Sequence, residues 1–171
     1  YDINAERVSL LQKKIDLNNE IKKKDLKLEN KSVITKKKNY LKSCNFYIVT
    51  VPTPLIKKKI PDLRFLQNAI KLISKFLKKG DFIVIESTVY PGVTKLCAKQ
   101  ILEKNSGLKL NKDFFIGYSP ERINPGDKKH KVQNIKKILA IETNSKKAFK
   151  RFINVYSKIT KKIIISNSIE D

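Results

Sequence analysis

"PDLRFLQNAIKLISKFLKKGDFIVIES", residues 61–87, reads as a helix that runs straight into a buried strand. Leu63, Leu66, Ile70, Ile73 and Leu77 recur at spacings of three and four, which is one face of a helix. Pro61 is preset for the first helical turn, and Gly80 is a stop signal. "DFIVIES" (81–87) then carries an unbroken apolar run, as does "FYIVTV" (46–51) ahead of the helix. A strand apolar at every position needs cover on both faces. Strand, helix and strand in this order make a right-handed crossover between parallel neighbours.

The same alternation extends in both directions. Upstream, "NAERVSLLQKKI" (4–15) puts Val8, Leu11 and Ile15 on one helical stripe, behind what reads as the tail of a strand at "YDI". Residues 17–31 are polar and lysine-rich, a helical excursion or a loop; "SVIT" (32–35) is a candidate strand and "KKKNYLKSCN" (36–45) a short helix. Downstream, "PGVTKLCAKQILEKNSG" (91–107) is a helix closed by Gly107, "DFFIGY" (113–118) and "KKILAIE" (136–142) are strands, "SKKAFKRFINVYSKI" (145–159) is a helix and "KIIIS" (162–166) a last strand. The pattern predicts an α/β fold with a doubly wound parallel sheet.

Length and composition bound the function. A chain of 171 residues, 40% hydrophobic, suits one globular domain. No stretch approaches the ~20 apolar residues of a membrane helix, and no leader pattern opens the sequence, so the expectation is a soluble, cytoplasmic protein without a membrane partner. Absence of methionine and the start at "YDIN" point to a piece of a longer chain. Cys44 and Cys97 stand far apart with no His or Cys at metal spacing, so they read as packing residues, and no metal site is expected.

The formal net charge of +22 raises nucleic acid as a partner. Arg7, Arg64, Arg122 and Arg151 are the arginines among 38 basic residues, leaving 38 − 4 = 34 lysines spread over nearly every helix and loop. Base readers lean on the forked guanidinium. The lysines therefore read as solvated faces rather than a specific nucleic-acid surface. His130, among lysines, reads the same way.

In doubly wound sheets, ligands bind beyond the carboxyl ends of the strands. Polar clusters stand there: "TVPTP" (50–54), "ESTVYPG" (86–92) and "SPERINPGD" (119–127), with Asp2 closing the apparent first strand tail. Asp2 suits the acid that receives ribose hydroxyls in dinucleotide folds, or else a plain helix N-terminal acid. Pro52 and Pro54 stiffen a wall and remove N–H groups that would need partners. Gly, Pro or Asn suffice for a plain turn, and Glu121–Arg122 exceeds that need. The pair is either a surface ion pair or a ligand contact, and neighbours in a loop seldom face each other.

"VPTP", "ESTVYPGVT" and "YSPERINPGD", in this order, resemble the UDP-glucose/GDP-mannose dehydrogenase family, in particular its branch acting on UDP-N-acetylglucosamine and UDP-N-acetylgalactosamine. The resemblance implies a Rossmann-like sheet and an NAD-dependent, two-step oxidation of a UDP-sugar at C6, through an aldehyde and a cysteine-bound thioester, for surface polysaccharide synthesis. It implies that Asp2 and Arg7 hold the adenosine end of NAD and that Val51, Pro52, Thr53, Pro54 and Leu55 line the dinucleotide. Ser87, Thr88 and Val89 would approach the nicotinamide, with Thr88 also positioning the water or oxyanion. Glu86 would point at or under the cofactor, in contact or in support. Glu121 would be the general base for thioester hydrolysis, and with Arg122, Ile123, Asn124 and Pro125 it would contact the UDP-sugar.

Set against the family, residues 1–171 correspond to the N-terminal NAD-binding domain, incomplete at both ends. The first strand with its G-x-G-x-x-G turn, the central helix through which the family forms homodimers, and the domain with the catalytic cysteine have no counterpart in this sequence. Two other readings are a basic nucleic-acid-binding module and a non-catalytic Rossmann-type interaction domain.

Overall fold

Asn4 accepts the Arg7 amide on its side chain at 3.0 Å and so starts the first helix, α1 (Ala5–Gln12). In this computed structural model, which describes residues 1–18, 23, 26, 32–56, 60–122 and 135–169, α1 belongs to a unit spanning Tyr1–Cys44; a second unit spans Asn45–Asp171. Val8 is buried within the first unit's helix, but the chain leaves helical geometry before Ile15, where Lys14 takes φ 60°, and Ile15 is exposed. The apolar stripe is thus shorter than its sequence spacing suggested. "YDI" and "SVIT" form no strand: one backbone bond, from the Asp2 amide to the Thr35 carbonyl at 3.1 Å, links them, and Val33 stays exposed. A single bond without a paired neighbour on each side does not build a ladder. Residues 38–43 form a 3₁₀ helix, and most of 17–31 lies outside the described residues.

The second unit holds β1 (Phe46–Val49), β2 (Leu55–Ile56), β3 (Ile60–Pro61), α2 (Arg64–Ser74), β4 (Phe82–Ile85), α3 (Val93–Leu96), a π-helical stretch Cys97–Glu103, α4 (Lys104–Ser106), β5 (Phe115–Tyr118), β6 (Lys137–Ile141), α5 (Lys146–Ser157) and β7 (Ile163–Ser166). β2 and β3 form a small hairpin of their own. The main sheet has the order β1-β4-β5-β6-β7, parallel throughout except for β5 against β6. That antiparallel step has a reason in the chain: no apolar helical stripe separates "DFFIGY" from "KKILAIE", and a parallel return needs a crossover of a dozen or more residues, usually a helix. The α/β, doubly wound class stands, with a mixed rather than purely parallel sheet.

β4 is an inner strand, between β1 and β5, and Phe82, Ile83, Val84 and Ile85 are all fully buried. Phe82 and Val84 face α5, in a core with Leu139, Ile141, Ala148, Phe152 and Tyr156. Ile83 and Ile85 point to the other face by strand alternation. β1 departs from expectation: among the described residues it has one neighbour in the sheet, and although Phe46 packs half-buried on the α5 core, Ile48 is 41% exposed, so its apolar run is not covered throughout. α2 also begins later than Pro61, which pairs with Leu55 in the hairpin; the Asp62 carboxylate accepts the Arg64 amide at 3.0 Å and sets the first turn there. Gly107 takes φ 73° at the end of its helical segment, as read from the sequence, whereas α2 already ends at Ser74, and Gly80, with φ 85°, serves the turn into β4 instead of stopping the helix.

Phe152 is the keystone of the α5 face. Its ring stacks on Phe82 at 5.1 Å, meets Tyr156 edge-on at 5.2 Å, and lies so close over β5 that a Cβ on Gly117 would stand 2.9 Å from it. Replacing Phe152 by Ala is expected to destabilise the protein by about 3–5 kcal/mol, and Gly117→Ala by about 1–3 kcal/mol through overpacking, both read as shifts in urea midpoint at unchanged slope.

Candidate functional site

β1, β4 and β5 are parallel and in register from Phe46↔Phe82↔Phe115 to Val49↔Ile85↔Tyr118, so the loops that follow them leave the sheet at one edge. Two side chains tie the first two loops together. The Ser87 hydroxyl donates to the Val51 carbonyl at 2.7 Å, and the Thr53 hydroxyl donates to the Thr88 carbonyl at 2.8 Å. The sheet itself is prolonged into them by the Glu86 amide on the Val49 carbonyl, at 2.9 Å, and by the Ser119 amide on the Ile85 carbonyl, at 3.0 Å. Thr88 is exposed and Val89 half-buried at this edge; Pro52, Pro54 and Leu55 are exposed, and Val51 is half-buried. Thr53 and Ser87 thus spend their hydroxyls on holding the wall in shape.

Beneath the edge lies a buried ionic cluster. Alternation along β4 carries Phe82 and Val84 into the α5 core and Glu86 to the same side just past the strand. Along β6, Ile141 and Leu139 fill that core and Lys137 lies on their face. On α5, Ala148, Phe152 and Tyr156 form the matching stripe at intervals of four. Each apolar column ends in a polar group, and the three groups meet. Lys137 Nζ lies 3.2 Å from Glu86 Oε2, the Tyr156 hydroxyl donates to Glu86 Oε1 at 2.6 Å, and the lysine and Glu86 side chains are only 9% and 10% exposed. Burial first, and then the Glu86 carboxylate, push the Tyr156 phenol far up, so it acts as a donor at any physiological pH.

Glu121 joins the cluster from above. The register of β5 on β6, Gly117↔Ile141 and Tyr118↔Ala140, continues past the strand to oppose Glu121 to Lys137. Lys137 Nζ lies 3.5 Å from Glu121 Oε2, while Glu121 Oε1 accepts the Arg122 amide at 2.6 Å. The Glu121 side chain is 46% exposed, so a carboxylate anchored on one side still faces solvent. Arg122 is exposed beside it, and the hydroxyl of fully buried Ser119 lies next to the Tyr156 phenol. Ile123, Asn124 and Pro125, together with His130, lie outside the described residues.

Lys137 and Tyr156 were missed in the sequence, although the signal was there. In "KKILAIE" the period of two puts Lys137 on the face of Leu139 and Ile141, and a lysine on a core face needs an acid. In the first unit, Asp2 is half-buried, accepts the Asn4 amide at 2.9 Å and lies 3.7 Å from Arg7, so its carboxylate is oriented locally while Oδ2 keeps room for other donors.

Cys97 is 1% exposed inside the π-helical stretch, and burial pushes its thiol up to about 11. It fits packing, as read from the sequence, and not nucleophilic chemistry. Among the described residues no group of His, Cys, Asp and Glu could hold a metal ion, and no helix is long and apolar enough to cross a membrane. In the native protein at pH 8, a thiol reagent is expected to label half-buried Cys44 and leave Cys97 unreacted until urea is added. Because the folded-state value is raised, the stability Cys97 lends is present below pH ~9 and declines as pH rises through about 11.

Residues 1–160 match the NAD-binding domain of the UDP-glucose/GDP-mannose dehydrogenase family. The chain is 49% identical over 143 residues to UDP-N-acetyl-D-glucosamine 6-dehydrogenase of Pseudomonas aeruginosa, covering 84% of this chain and 34% of that protein. It is 43% identical to Protein CapL of Staphylococcus aureus over the same shares. Among solved structures, the UDP-D-ManNAc dehydrogenase of Pyrococcus horikoshii superposes with a TM-score of 0.82 at 28% identity, covering 99% of this chain and 41% of that one. The chain spans about a third of the length of the curated relatives it matches. It belongs to the UDP-glucose/GDP-mannose dehydrogenase family, as an NAD-binding domain.

Proposed function

We propose that this domain binds NAD for the oxidation of the C6 hydroxyl of a UDP-N-acetylhexosamine to a uronic acid, in the cytoplasm, in support of surface polysaccharide synthesis. The observation that carries the reading is the meeting of the three loops at one sheet edge, with Glu121 held at its rim. The residues fit a dinucleotide. The wall made by Val51, Pro52 and Val89 offers apolar contact without N–H groups of Pro52 left over, the exposed Thr88 hydroxyl stands where it can donate, and the oriented Asp2 carboxylate suits ribose hydroxyls. Bound NAD supplies the hydride acceptor.

This chain's own residues then have distinct tasks. Val51 to Leu55 and Ser87 to Val89 orient the cofactor, the first two loops acting as one body through the Ser87 and Thr53 bonds. Asp2 and Arg7 receive the adenosine end, and the Asp2 charge disfavours a 2′-phosphate. Arg122, with Ile123, Asn124 and Pro125, contacts the UDP-sugar. Glu121 takes a proton from the water that attacks the acyl intermediate: the water oxygen bonds to the acyl carbon, the carbon–sulfur bond breaks, and the thiolate leaves. The cysteine of that thioester belongs to the remainder of a full-length enzyme, as does the helix through which the family pairs into homodimers. Residues 1–171 alone are accordingly expected to produce no NADH from a UDP-sugar.

Rapid mixing of the full-length enzyme tests the assignment. Glu121→Gln keeps size and removes the base, so a burst of NADH should precede turnover slowed by about 10²–10⁴-fold, with an acyl adduct visible by intact mass. Full steady-state turnover without adduct would remove Glu121 from the chemistry. Asp2→Ala is expected to weaken NAD and relax the preference over NADP, measured as the ratio of kcat/KM for the two cofactors; an unchanged ratio would take Asp2 out of the site.

A further inference from the structure

We propose that Lys137 is the positioning residue for Glu121, a buried ammonium that fixes the carboxylate in its working orientation and is itself fixed by Glu86 and Tyr156. The inference rests on the reading of Glu121 as the base, and it adds a residue that neither touches the substrate nor lies in the loop motifs.

The geometry leaves each group one arrangement. Glu86 receives the Tyr156 hydroxyl on Oε1 and Lys137 on Oε2, so its two oxygens are spoken for by different elements, α5 and β6. Lys137 is thereby pinned from below by a carboxylate that cannot swing, and its ammonium has donors left for the rim. There it meets Glu121 Oε2 at 3.5 Å, while the Arg122 amide takes Oε1 at 2.6 Å. Glu121 follows Pro120, whose fixed φ limits the backbone ahead of it. Both carboxylate oxygens are thus oriented, and 46% of the side chain remains exposed to solvent.

A purely structural role explains less. Two buried charges already neutralise each other in the Glu86–Lys137 pair, and a buried pair is no more stable on average than apolar residues of the same size. What the lysine adds is the contact to a second carboxylate at the rim, which is of use only if that carboxylate must be held.

The test uses the full-length enzyme and three variants. Lys137→Met removes the ammonium, Glu86→Gln/Lys137→Met removes both buried charges so that no unpaired ion is left in the fold, and Lys137→Arg keeps a cation. Circular dichroism and thermal unfolding first establish that each is folded. The expected result is kcat lowered roughly ten- to a hundredfold in Lys137→Met and in the double variant, the scale on which misplacement by an ångström acts. Because hydrolysis then limits turnover while binding and the hydride transfers are untouched, KM should fall along with kcat and kcat/KM should stay within about twofold. The acyl adduct should accumulate as in Glu121→Gln, and Lys137→Arg should lie closer to wild type than Lys137→Met. A folded double variant with wild-type kcat would overturn the proposal, and so would a loss shared by kcat and KM without trapped adduct. If Glu121→Gln traps the adduct while the double variant does not, the lysine's role alone falls; if Glu121→Gln turns over freely, the general-base reading falls with it.

Discussion

An ammonium can be sealed inside a protein only where a carboxylate meets it, because the unpaired ion would cost several kcal/mol of lost hydration. Lys137 and Glu86 satisfy that condition 3.2 Å apart, and much of the second unit is arranged around their meeting. β6 must begin opposite Glu121, three residues past the end of β5, α5 must deliver a phenol rather than a phenylalanine ring at its last buried position, and the chain after β4 must turn with its acid inward. A slip of β6 by one residue would turn Lys137 to the opposite face and put Lys136 or Ile138 in its place. The pair therefore acts as a register pin that fixes β6 within the sheet.

Apolar periodicity made most of this fold legible. The stripe of α2, the all-buried β4 and the closing Gly107 follow directly from residue spacing, because burial and left-handed backbone leave few substitutes. The misplacements have physical causes as well. Ile48 belongs to an apolar run, yet its strand has a single sheet neighbour among the described residues, and a run of aliphatics cannot say how many neighbours it has. Pro61 suits a helix start and equally suits a hairpin edge, and Asp62 decided between them through the Arg64 amide. The direction of β6 was hidden because strand pattern carries no polarity.

The candidate site was legible as three motifs, each at the carboxyl end of a strand, but the sequence could not divide their side chains between exposed groups and scaffold. Ser87 and Thr53 look like ligand groups in one dimension. In three, their hydroxyls clamp the carbonyls of the neighbouring loop. Glu86, adjacent in the same motif, faces inward and answers a lysine some fifty residues later, a pairing of partners too distant for any local spacing rule.

The two outer strands bear on how the domain behaves in bulk. Among the described residues β1 and β7 each have a single sheet neighbour, and Ile48, Ile164 and Ile165 are exposed on them, so both carry backbone groups and aliphatic surface that a further strand, of the same chain or of a copy, would pair with. The +22 charge opposes such encounters, since every molecule approaches its copy through a lysine-rich exterior. That repulsion acts over about 8 Å at physiological ionic strength and shrinks to about 3 Å at 1 M. The lysine coat is then a colloidal safeguard whose strength is set by the buffer, and the domain's solubility is a salt-dependent property written into its surface rather than its core.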